Sequence, residues 1–132
     1  LAGGLLIVDD FWGSAEWANF EDEIRRVLPE YPIEDLPADH PLLHTVYDLE
    51  EIVQVPNVRN GIFGGGRTWE RDGYEPALRG IHDETGRLLV VINWNTDLGD
   101  AWEWADDPRY PLPYSNFAYK LGVNLFVYGM AH

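Results

Sequence analysis

The sequence contains no cysteine. A disulfide framework, a thiolate zinc site and a cysteine nucleophile are all excluded by that absence. Cationic residues are scarce too. Nine Lys and Arg stand against 23 Asp and Glu, for a formal net charge of −14 and a pI near 4.4. No basic stripe runs along the chain, so binding to a nucleic-acid backbone is not expected. No internal repeat is visible, and the opening residues carry neither a basic segment nor a cleavage pattern. The most apolar stretch, residues 121–130, is interrupted by Asn124, Tyr128 and Gly129, which argues against a membrane span.

What is present suits a folded chain. Its 132 residues are 45% hydrophobic and 14% aromatic, far from the composition of a disordered polymer. A single α/β domain over residues 1–132 is expected. Leu1-Ala2-Gly3-Gly4 reads as the end of a helix. Residues 5–8 then form an unbroken apolar run, as in a strand covered on both faces of a parallel sheet. A chain that opens in this way reads as the C-terminal portion of a larger, N-terminally truncated domain.

A helix is expected next, with Ser14 as its N-cap and Trp17, Phe20, Ile24, Val27 and Leu28 on one face. Pro29 ends it. Prolines punctuate residues 31–59, where a loop through Asp39-His40-Pro41 and a short strand at 52–55 are expected. Residues 60–73 form a glycine-rich loop. Its Gly64-Gly65-Gly66-Arg67 lacks the strand-to-helix setting and the Lys-Ser/Thr of a phosphate loop. Residues 78–83 and 87–94 read as a hairpin around Glu84-Thr85-Gly86, with the second arm central. The final helix, residues 115–131, carries Ala118, Leu121, Gly122, Leu125 and Gly129 on one face. Val123 and Phe126 make it apolar enough to be buried on more than one side.

Function in open α/β sheets collects beyond the carboxyl ends of the strands. Asp9 and Asp10 follow the first strand; Asn95, Asp97 and Asp100 follow the last. If those strands are parallel neighbours, the acids share one edge, and His40 and His44 join them if their loop folds over it. Such a group suits a divalent cation, with Asp10, His40, Asp97 and Asp100 as candidate ligands, or an acid–base pair. No other cofactor is expected. The structural alternative is equally physical: Asp9 or Asp10 caps the following helix, and Asp97 holds the turn before Gly99. Pro41 between the histidines disfavours a regular helical metal pair. Trp12, Trp102 and Glu103 complete the candidate pocket. Trp102, with Trp94 and Trp104, suits either a sugar-stacking platform or ordinary core packing. Neither Ser14 nor Ser115 lies in a nucleophile elbow.

Four ordered segments carry a resemblance: residues 3–13 (GGLLIVDDFWG), 39–44 (DHPLLH), 97–103 (DLGDAWE) and 122–132 (GVNLFVYGMAH). Together they resemble the bacterial family called domain of unknown function 4159, which is similar to class I glutamine-amidotransferase-like domains of the trehalose-utilisation type. The resemblance implies a flavodoxin-like three-layer sandwich with further strands upstream. It also implies a bacterial cell-envelope setting, membrane-associated through an upstream region. The glutaminases of that superfamily need a cysteine after the strand, where this chain has Asp9-Asp10-Phe11. Amidotransferase chemistry is excluded. Two expectations remain: a non-catalytic module binding a small molecule or an envelope protein, and a hydrolase using the carboxylates and histidines, with or without a metal, on a sugar-like substrate.

Overall fold

The computed structural model describes residues 3–132. The elements in chain order are β1 (Leu6–Phe11), α1 (Gly13–Val27), β2 (Ile33–Asp35), a 3-10 turn (Pro41–His44), α2 (Val58–Phe63), β3 (Ala77–His82), β4 (Leu88–Trp94), α3 (Leu98–Glu103) and α4 (Leu112–Ala131). The four strands form one mixed sheet in the order β1-β4-β3-β2. β1 runs parallel to β4, while β3 is antiparallel to both β4 and β2. The hairpin expected around Thr85-Gly86 is β3–β4, closed by Asp83, whose carboxylate accepts the Thr85 and Arg87 N–H groups.

Helices cover both faces of this sheet, giving a sandwich of layers. On one face, Ile24 of α1 packs with Ile81, Leu89, Val90 and Ile92, joined by Trp17 and Phe20. The Arg79 guanidinium lies 4.4 Å from the Trp17 ring and 5.1 Å from Trp94. On the other face, Phe117, Ala118, Leu121, Leu125 and Tyr128 of α4 pack with Leu78, Leu88, Val91 and the 3-10 turn residues Leu42 and Leu43. Gly122 lets α4 approach α3 closely, since a Cβ there would stand 3.1 Å from the Trp102 ring.

Several expectations change. The helix end read at residues 1–4 begins outside the described residues, although Gly3 and Gly4 do take positive φ. β1 is not covered on both faces. It is an edge strand, with Leu6 52% and Ile7 40% exposed. An apolar run shows what a strand tolerates on its faces, not which strands flank it. Ser14 does not cap α1, because the first-turn amides find acceptors far along the chain. The Asn95 side chain takes Gly13 N–H at 2.8 Å and Asp72 takes Ser14 N–H at 2.9 Å. Residues 52–55 form no strand; they make a single crossing at Val55, which exchanges bonds with Thr96 and Asp97. The loop at His40-Pro41 contains a 3-10 turn, the glycine-rich region begins inside helix α2, which takes its residues 60–63, and β2 was not expected at all. α4 leaves Phe126 68% and Met130 75% exposed, so it is buried on one side only. No helix among the described residues is long and apolar enough to cross a membrane.

Candidate functional site

The two acidic turns do meet. Because β1 and β4 are parallel neighbours, their carboxyl ends open on the same edge. The pairing slips between Val8 and Phe11, so Asp9 and Asp10 oppose a single residue of β4. Such a bulge re-aims side chains at a strand end. Asp10 takes φ +58° and Asn95 φ +60°, two non-glycine residues in the left-handed region on adjacent chain segments. Positive φ costs such residues free energy, and the surrounding bonds hold them there. Asp10 N–H donates to Thr96 O, and Asn95 N–H to Phe11 O.

Each carboxylate then has a defined partner. The Asp9 oxygens accept the N–H groups of Leu98 at 3.1 Å and Gly99 at 2.9 Å. Asp97 caps α3 by accepting Asp100 N–H at 2.8 Å. Asp100 reaches to α2 and accepts Val58 N–H at 2.9 Å. Three acids are thus engaged with backbone donors at helix starts, where negative charge is favoured. Asp10 differs. It is exposed, and it accepts the Trp12 indole N–H at 2.9 Å rather than a backbone amide.

Crowding of these acids alters their protonation. Burial, followed by the charges of Asp10, Asp100 and Asp9, pushes the Asp97 carboxyl up to about 8. Asp97 therefore holds its proton at neutral pH, and its hydrogen bonding to Asp10 offsets part of the rise there. Asp9 and Asp10 are also raised, chiefly by burial.

The remaining candidates take other roles. Asn95 is a buried strut: its Oδ1 receives Gly13 N–H and its Nδ2 donates to Glu75 O at 2.7 Å. Trp12 is buried, and its backbone N–H donates to Glu16 Oε1 at 2.6 Å. Trp102 donates from its indole to Ala118 O at 2.7 Å, tying α3 to α4. Glu103 is exposed at the end of α3.

The histidines do not join the acids. His40 meets His82, with Nε2 atoms 3.0 Å apart. His82 ends β3 and pairs with Leu88 at the start of β4, whereas the acids lie beyond the end of β4. A seven-residue strand at about 3.3 Å per residue separates the two groups by roughly 20 Å. His40 Nδ1 accepts Leu42 N–H at 3.0 Å, which places its proton on Nε2, toward His82. His44 lies between Asp48 and Ala38 O. Among the described residues, no three His, Asp or Glu side chains are arranged to hold a metal ion.

Residues outside the expected set complete the edge. Gln54 donates to both Gly73 O and Asn95 O. Glu16, Asn19 and Glu23 of α1, with Val8, Phe11 and Phe20, line a groove that opens beside Asp10. Their helical spacing of three and four was visible in the sequence, but their nearness to Asp10 was not. The groove is acidic and partly aromatic. Its chemistry suits a cationic group with an apolar attachment.

No curated protein matches the chain. A family model does, over residues 1–130. The chain belongs to the family described as Domain of unknown function (DUF4159).

Proposed function

We propose that this domain is a non-catalytic binding module of the bacterial cell envelope, on a flavodoxin-like, amidotransferase-like scaffold. Its ligand is a cationic group on a small molecule or an envelope protein, received in the groove between β1 and α1. One observation carries this reading. Asp9, Asp97 and Asp100 are already engaged with backbone donors, whereas Asp10 faces outward beside Glu16, Glu23 and two phenylalanines. The first three acids build the edge, and Asp10 is left to bind. The envelope setting rests on the family resemblance.

An NMR titration with agmatine tests the groove. Saturable shifts at Asp10, Glu16, Asn19 and Glu23, lost in Asp10→Asn, are expected. Absence of saturable shifts there removes this reading.

A second reading, a hydrolase acting on a sugar-like substrate, is favoured by the proton that Asp97 holds beside Asp10. A neutral acid beside a carboxylate is the arrangement acid–base chemistry requires. Direct contact between the two groups is, however, shorter than the roughly 5 Å or more that separates glycosidase carboxyls. Release of reducing sugar from oligosaccharides, abolished by Asp10→Asn, would favour this reading over binding.

A further inference from the structure

Three of the chain's nine cationic side chains line one concavity. Arg59 on α2, with Arg67 and Arg71 on the loop that follows, surrounds a cavity of about 700 Å³. In a chain of net charge −14 this concentration runs against the rest of the molecule. Two of the three are held in place. Arg67 Nε donates to Trp69 O at 3.0 Å, and its guanidinium lies 5.4 Å from the Trp69 ring centroid. Arg71, itself at φ +52°, is steadied by Glu16 at 3.3 Å. Neither Arg59 nor Arg67 forms an ion pair among the described residues.

The backbone adds donors. Gly64 is right-handed helical and Gly65 takes φ +61°. Successive residues of that kind turn consecutive N–H groups toward one side, in a concavity that accepts anions. The N–H groups of Gly65 and Gly66 have no acceptor among the described residues. The one acid in the cavity wall, Glu70, accepts the Asn57 amide at 2.9 Å. The loop is docked at the carboxyl edge of the sheet, because Asp72 accepts both the N–H and the hydroxyl of Ser14. This is where ligands of α/β sheets collect.

We propose that this cavity binds a phosphate-type oxyanion carried by a small molecule. Arg59 and Arg67 donate bidentately, Arg71 adds charge, and the Gly65–Gly66 amides complete the cradle. Two guanidinium groups without ion pairs among the described residues line the cavity together with Gly64, which opens the Gly64–Gly66 turn. A tetrahedral dianion presents acceptor oxygens in several directions, whereas a carboxylate accepts chiefly within its own plane. The site is separate from the groove beside Asp10; the Arg71–Glu16 pair marks the boundary between them.

Titration of ¹⁵N-labelled protein with inorganic phosphate and pyrophosphate, at fixed ionic strength, tests the assignment. Saturable shifts are expected at the Gly65 and Gly66 amides and the Arg59 and Arg67 Nε–H groups, with pyrophosphate the tighter ligand. The Arg59→Ala/Arg67→Ala double variant is expected to weaken binding at least tenfold with an unchanged circular dichroism spectrum. Arg67→Lys, which keeps the charge and loses the fork, is expected to weaken it several-fold. The proposal is overturned if shifts fail to saturate at roughly tens of millimolar, if acetate reproduces them, or if the natively folded double variant binds as well as the parent.

Discussion

Asp9 Oδ2 accepts the Gly99 N–H at 2.9 Å, joining the end of β1 to the start of α3 across ninety residues of sequence. The companion bond to Leu98 satisfies a second first-turn amide of the same short helix. Six residues make too short a helix to stand alone, so α3 depends on caps and packing. Replacing Asp9 with Ala leaves the donors of buried Leu98 and half-buried Gly99 without acceptors, at about 1–3 kcal/mol each. Asp9→Ala is therefore expected to lower stability by about 2–4 kcal/mol, read as a shifted urea midpoint. Asp9→Asn keeps an acceptor and should lose less. A change within about 0.5 kcal/mol for Asp9→Ala, the range of an uninvolved surface site, would mean that the bond does not hold α3.

Asp97 gives the protein a pH dependence of definite sign. Its carboxyl rises from an ordinary 3.8 to about 8 on folding, so the folded state holds a proton that the unfolded chain releases. The stability contributed by this group is complete below pH 4 and declines as the pH climbs toward 8. Asp97→Asn can still cap Asp100 N–H and can donate to Asp10 as the protonated acid does. Its stability should therefore be nearly flat over the window in which the wild type loses on the order of a few kcal/mol. Urea midpoints at pH 5, 7 and 9 measure the difference; parallel profiles for the two proteins would refute the proton held on Asp97.

How much of this could be read in advance depends on how local the cause is. The β3–β4 hairpin was legible because Thr85-Gly86 lies within the turn it makes. The apolar face of α1 was legible from Trp17, Phe20 and Ile24 at helical spacing. The pairing of β1 with β4 was legible only as a condition. Asp9 capping α3, Asp72 capping α1 and His40 meeting His82 were not legible, because each partner lies 42 to 90 residues away. Ser14 looked like a cap because it is a good one; Asn95 and Asp72 took that role from a distance. β2 escaped notice because three residues between Pro32 and Pro37 carry little periodicity.

The two sheet edges differ in a way that predicts solution behaviour. β2 is three residues long, carries Glu34 and Asp35, and is bracketed by prolines, all of which discourage further pairing. β1 presents Leu6 and Ile7 on an open edge with no charge before Asp9. Ile7→Lys is expected to change stability by no more than about 0.5 kcal/mol and to reduce self-association. Light scattering across a concentration series reads the second effect. Unchanged association would show that β1 is not the sticky edge.

His40 and His82 supply an opposing pH dependence at the other end of the sheet. Burial, with the neighbouring His82, lowers the His40 pKa below the usual 6.5. Its Nδ1 must stay unprotonated to accept Leu42 N–H, and its Nε2–H points at His82 Nε2. Around this pair stand Asp39, which favours protonation, and Tyr128, whose ring lies 6.0 Å from His40 and 4.3 Å from His132. A base whose pKa falls on folding stabilises above its unfolded pKa and loses that contribution as the pH drops below about 6.5. Acidification should therefore release the cap of the 3-10 turn, while the Asp97 end of the sheet becomes more stable. Hydrogen exchange at the Leu42 amide is expected to accelerate between pH 6.5 and 5, beyond the intrinsic pH dependence of exchange, with no matching change at Leu98 or Gly99. His82→Gln can accept the same Nε2–H but removes the repulsion that helps to hold the His40 pKa down, and should move the onset for Leu42 to higher pH than in the wild type. If Leu42 exchange follows the intrinsic rate through this window, protonation of His40 does not open the turn.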